Sequence, residues 1–177
     1  MLTIIATASL VAGSHVRSED AVIGAILQDG LLSSVVIQRL VDAIDDSNVI
    51  VYLARGNCPQ LTTACVMMAG GGPGVRYIRI NFRLPSGMGK PGVWRKAELS
   101  VAMAHELQHA VEIAGWPDVV DSETMRAAYT RSGLDRGAEH LDTNAAIQAG
   151  EDRREELLRG RRRMTRPATT TRSKTAS

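Results

Sequence analysis

Residues 97–114 read Ala97-Glu-Leu-Ser-Val-Ala-Met-Ala-His-Glu-Leu-Gln-His-Ala-Val-Glu-Ile-Ala114. Wound as a helix, the stretch is apolar almost all round. That predicts a buried helix from about Trp94 to Ala114, stopped by Gly115-Trp-Pro117. Inside it, His105-Glu-Leu-Gln-His109 is an H-E-x-x-H motif. Residues four apart lie one turn apart on the same helix face. His105 and His109 can therefore offer imidazole nitrogens to one metal ion, with Glu106 beside them to hold a water. Two histidines and a carboxylate are costly in a buried helix unless each is partnered, and a metal partners all three. The pattern is that of a zinc hydrolase, with two ligands and a general base on one helical turn. The bland alternative is a pair of hydrogen-bonded core histidines with Glu106 in solvent.

A catalytic zinc takes three protein ligands and keeps a position open for water. Glu112 shares the histidine stripe but lies a turn beyond, where it suits a hydrogen bond to a histidine or a place on the surface. Glu123 stands in the first turn of the next expected helix, where a carboxylate is favoured by the helix dipole. Glu139 and Asp142 precede the last expected helix and approach from a separate element. Asp142 is preferred over Glu139 as third ligand, with an N-cap role nearly as well supported. Tyr129 and His140 are the candidates to donate to an oxyanion.

Outward from this helix, helical spacing and caps predict helices from Ser18 to Gly30, from Ser34 to Asp46, from Asp121 to Arg131 and from Thr143 to Arg159. Short β-branched runs at 48–54, 62–69 and 75–83 predict three strands in an antiparallel meander, with Gly70-Gly-Gly-Pro-Gly74 as a turn. The glycine run lacks the Gly-Lys-Ser/Thr ending of a phosphate loop and opens a strand instead of a helix.

The 177 residues suit one domain, placed at 18–160. Residues 1–17 are apolar at the start and too short for a spanning helix. They resemble the core of a signal peptide without its positive start, so export to the periplasm and a cytoplasmic location both stay open. Seven basic residues and no acid lie between Arg159 and Ser177, and the preceding body carries a net charge of −5. Residues 161–177 are expected to be a disordered basic tail, more simply a solvated terminus than a contact for an anionic surface. Aromatic residues make up only 3% of the chain, which argues against base-stacking nucleic-acid modules. Cys58 and Cys65 can close a small disulfide loop in an exported protein, or remain thiols in the cytosol.

The stretch Val101–Ala114 resembles an uncharacterised bacterial family of predicted zincin-like metalloproteases, whose members carry a similar H-E-L-Q-H-A-x-E helix. The likeness extends to Asn48–Leu53 and Gly74–Ile80 and runs from about Ser34 to Leu158. In that family a Glu-Thr-x-Ala-Ala stretch opens the last helix, matched here by Asp142-Thr-Asn-Ala-Ala146 with a shorter acid. The resemblance implies that Asp142 inherits a ligand role, with less reach.

The expected fold is thus α+β and zincin-like, a small antiparallel sheet packed on a buried H-E-x-x-H helix with flanking helices. The expected function is a zinc metallopeptidase acting on a peptide or protein through a zinc-activated water, with Glu106 as base. The alternative is an inactive binding or regulatory module of the same fold.

Overall fold

A computed structural model of the chain describes residues 13–58, 62–72, 74–84, 92–132 and 142–165. The elements run β1 (Val16–Ser18), α1 (Ala21–Ser33), α2 (Val35–Asp45), β2 (Val49–Arg55), β3 (Ala64–Gly72), β4 (Val75–Phe82), α3 (Val93–Ala114), α4 (Ser122–Arg131) and α5 (Asn144–Thr165). The α+β class is as the sequence predicts.

Two helix boundaries differ from expectation. Asp20 caps α1 in place of Ser18, its carboxylate accepting from Val22 N at 2.8 Å and Ile23 N at 3.1 Å. Gly30 does not stop α1. It lies where α1 crosses α2, and a Cβ there would come within 2.6 Å of Ile37 Cδ1. The glycine serves close packing, and Ser34 ends α1 and caps α2 together. Among the described residues no single helix is long and apolar enough to cross a membrane.

The sheet is mixed, in the order β1-β2-β4-β3. The expected antiparallel meander is wrong at one joint. β3 and β4 form the antiparallel hairpin, but β2 pairs with β4 in parallel and never with β3. The cause is the burial each strand can supply. In β4, Arg76, Ile78, Ile80 and Phe82 are all buried, whereas in β3 only Ala64 is. A strand of cysteine, methionine and glycine cannot fill a central place, so β4 takes it and leaves β3 at the edge. The connection after Arg55 is long enough to carry the chain past β4.

Val16 and Arg17, expected to precede the domain, and Ser18, expected to open the first helix, form β1 parallel to β2. At the other end α5 runs on to Thr165, so the start of the expected tail is helical. The signal-like start (1–12) and the rest of the tail (166–177) lie outside the described residues. Cys58 and Cys65 form a disulfide with a Cα–Cα distance of 5.7 Å.

The face of α3 that carries Leu99, Met103, Leu107, Ala110 and Ile113 is fully buried. The helix is tied to the sheet by Arg76, itself only 4% exposed. Its guanidinium donates to the carbonyls of Ile113 (2.8 Å), Ala114 (3.0 Å), Trp116 (2.7 Å) and Val119 (3.2 Å), and to Asn48 Oδ1 (2.7 Å). One cation thus gathers the last carbonyls of the helix, Ile113 and Ala114, with two carbonyls of the turn that follows, and complements the helix's negative pole. Arg76→Met is expected to lower stability by about 3 kcal/mol, because four carbonyls and Asn48 Oδ1 lose the guanidinium, although Ile113 O and Trp116 O each keep a backbone donor. A shift of the urea midpoint to match would bear this out, and an unchanged midpoint would refute it.

Candidate metal centre

Packing of α5 across α3 builds the site. Small residues on α5 allow the close approach: Ala146 and Ala149 are buried, and a Cβ on Gly150 would lie 3.8 Å from His105 Cβ. The start of α5 is thereby held over the histidine face of α3. Thr143 caps α5, its hydroxyl accepting from Ala146 N at 2.9 Å. Asp142 is therefore not spent as a cap, and its carboxylate is turned to His105.

His105 Nε2 lies 3.2 Å from Asp142 Oδ1 and 3.2 Å from His109 Nε2. The three ligand atoms all fall within 4.8 Å of one another. A tetrahedral ion with bonds of about 2.0–2.1 Å spaces its ligand atoms by roughly 3.3–3.4 Å along an edge. Both 3.2 Å separations fit that edge. Two imidazole nitrogens and one carboxylate oxygen are also a donor set that zinc accepts. Burial, and then the neighbouring His109, hold the His105 pKa below its usual value, so the ring is neutral as a ligand must be.

Behind the histidines lies a second layer. His109 Nδ1 lies 3.0 Å from Glu112 Oε2, and a proton on Nδ1 given to that carboxylate would leave the Nε2 lone pair facing His105. Tyr129 Oη lies 3.0 Å from the same Nδ1 and donates to Glu112 Oε2 at 3.4 Å. Thr143 Oγ1 donates to Glu112 Oε1 at 2.6 Å. Glu112 is thus the histidine partner that its place in the helix predicts, and a carboxylate there fixes the tautomer and raises the ligand's basicity.

The expected oxyanion role of Tyr129 does not fit this placement. The side chain is fully buried on the Nδ1 side of His109, away from the ligand atoms, and burial and then Glu112 push its pKa well above normal. It stays protonated and braces Glu112. Glu123 is exposed in the first turn of α4 and has no place in the group. Glu139 and His140 lie outside the described residues.

Glu106 is only 7% exposed. Burial pushes its pKa up to about 7, opposed by His109 and, more weakly, by the backbone amide of Val66 in β3, which faces the carboxylate. The side chain opens on a cleft of about 980 Å³ bounded by β3, α3 and α5, whose walls include Thr62, Thr63, Ala64, His105, Glu106 and Asp142. His109 is sealed in, whereas the Asp142 side chain is 47% exposed, so the group is open on the cleft side.

The sequence reading missed Thr143 as a bridge and Val66 as a donor. The first had a signal in the adjacent pair Asp142-Thr143, since both residue types cap helices and only one of them is needed at the start of α5. The second had none, because a backbone amide carries no residue type. Thr143→Val is expected to weaken zinc binding about 10–100-fold through Glu112. Competition with a chromophoric chelator measures this, Thr143→Ser should keep wild-type affinity, and equal affinity for valine and threonine would exclude the coupling.

No protein-family model matches the chain, and no curated protein or solved structure matches it.

Proposed function

We propose that the chain is a zinc metallopeptidase of zincin-like architecture, with His105, His109 and Asp142 as ligands and Glu106 as general base. The observation that carries this reading is the meeting of three potential ligand atoms, two of their separations at the edge length of a zinc tetrahedron, beside a buried carboxylate that opens on a cleft. When bound, zinc supplies Lewis acidity and lowers the pKa of a coordinated water to about 7. Glu106 takes a proton from the attacking water and returns it to the leaving amine, a task that suits a pKa near neutrality. Glu112 keeps His109 in the tautomer that leaves Nε2 free.

The substrate class follows from the edge of β3. Arg83 N donates to Thr63 O at 2.9 Å, which sets the pairing phase with β4. Cys65 and Met67 then bond to β4, while the backbone groups of Ala64, Val66 and Met68 face outward. An extended peptide can add as a strand along that edge, with its carbonyl brought to the cleft wall at Glu106.

Elemental analysis of metal-replete, dialysed protein is expected to give about one zinc per chain, in line with a single tetrahedral site, and none in His109→Ala. Peptide hydrolysis should stop with a chelator and return with zinc. Absence of zinc from the wild type would sink the proposal. Zinc without hydrolysis of any peptide would leave the non-enzymatic binding module.

A further inference from the structure

We propose that the Cys58–Cys65 disulfide is a redox-operated clamp on the cleft, which holds the first residues of β3 against Glu106 when oxidised and releases that edge when reduced. The peptide-binding consequence rests on the peptidase reading above; the clamp itself does not.

The strand β3 pairs on one side only, with β4; Ala64 is its one fully buried residue, and Val66 and Met68 are half-buried against the core. An edge strand with few buried contacts sits at the low end of local stability. The disulfide adds a covalent tie at the end where the cleft lies. Cys65 is the second residue of β3, and Cys58 belongs to the stretch leaving β2, seven residues earlier. That stretch is itself fixed to the centre of the sheet. Gly56 N donates to Phe82 O at 3.1 Å, Asn81 Nδ2 donates to Asn57 O at 3.4 Å, and a Cβ on Gly56 would lie 2.5 Å from Asn81 Cγ. Through the disulfide, β3 is fastened to β4 by a second route.

What the tie holds in place is the working side of the cleft. Immediately after Cys65 comes Val66, whose backbone amide faces the Glu106 carboxylate. Immediately before it come Thr62, Thr63 and Ala64, which line the cleft. None of the metal ligands is on this segment, since His105 and His109 are on α3 and Asp142 precedes α5. Breaking the tie should therefore disturb the peptide edge and spare the metal. Both cysteines are partly exposed, within reach of a reductant.

The step balances with a dithiol as reductant. One of its thiolates attacks a sulfur of the disulfide, and its second thiol displaces the mixed disulfide. Cys58 and Cys65 gain two electrons and two protons as thiols, and the dithiol leaves as a disulfide.

The test uses the full zinc-loaded chain and a water-soluble phosphine, chosen because thiols compete for zinc. The phosphine takes oxygen from water and becomes its oxide as the disulfide becomes two thiols. Hydrogen exchange is then compared at the amides of residues 65 and 67, which bond to β4. On reduction these amides should exchange about tenfold faster or more, with zinc content unchanged. For a cleaved peptide KM should rise more than kcat falls, and reoxidation should restore both. A chain carrying Cys58→Ser and Cys65→Ser should behave as the reduced protein with or without phosphine. Equal exchange in the two redox states, a serine variant that still responds to phosphine, or loss of zinc on reduction would each overturn the clamp. If exchange responds but no peptide is cleaved in either state, the peptidase reading falls and the clamp stands.

Discussion

Glu106→Gln is expected to keep about one zinc per chain while peptide hydrolysis falls by roughly 10²–10⁴-fold, the contribution of a positioned general base. Glutamine has the shape of glutamate, and its Oε1 can still accept from the Val66 amide, so the cleft should keep its form. What it cannot do is take a proton from water. Because Glu106 is not among the converging ligand atoms, its loss leaves the ion held by His105, His109 and Asp142. The deficit should appear in kcat with KM little changed, the sign of an interaction made in the transition state alone. His109→Ala gives the contrast, with zinc and hydrolysis lost together. If Glu106→Gln keeps a tenth or more of wild-type hydrolysis, the base lies elsewhere in the cleft.

The local part of this molecule was legible in the sequence, and the non-local part was less so. His105 and His109 were readable because a four-residue spacing on a helix is a statement about geometry. Glu112 followed by the same rule. Asp142 was readable as a candidate only. Its rival role as an N-cap could be dismissed once Thr143 was seen to cap α5, and that depends on which of two neighbours turns inward. Tyr129 was read as an oxyanion donor, yet it meets His109 from the Nδ1 side, because sequence does not say from which direction α4 approaches.

Strand pairing was the larger miss. Period and β-branching identify β2, β3 and β4, yet order within a sheet is set by which strand can be covered on both faces, a property of the whole chain. Arg76 failed to stand out for a related reason. In sequence it is one polar residue in a strand, and its meaning comes from the end of α3, 37 residues later. Gly30 misled for the opposite reason. Glycine is a stop signal by propensity, but here it is a contact point between helices.

The same Glu106→Gln substitution is expected to act in the opposite direction on the stability of the metal-free protein. Glu106 has a usual value of 4.5 and is pushed to about 7 in the fold. A carboxyl raised in this way is favoured neutral in the native state. Between those two values the folded chain binds more protons than the unfolded one, so stability falls as pH rises from about 4.5 and levels off above 7. The loss over that window is about 3 kcal/mol, from the size of the shift. Glutamine does not titrate, and any constant penalty for burying its amide cancels when one pH is compared with another. The difference between variant and wild type, measured by urea unfolding with chelator present, should therefore grow in favour of the variant by about 3 kcal/mol between pH 4 and pH 8. A difference that stays constant would mean that Glu106 ionises without penalty in its cleft. With zinc bound the dependence should shrink, because a divalent cation beside the carboxylate favours its charged form, and zinc uptake near pH 6 should release a proton from Glu106. Without a cation, the fold holds an acid whose ionised form it disfavours. A cation held at the proposed site would relieve that cost by favouring the charged form, which is why the buried glutamate belongs to the same proposal as the histidines.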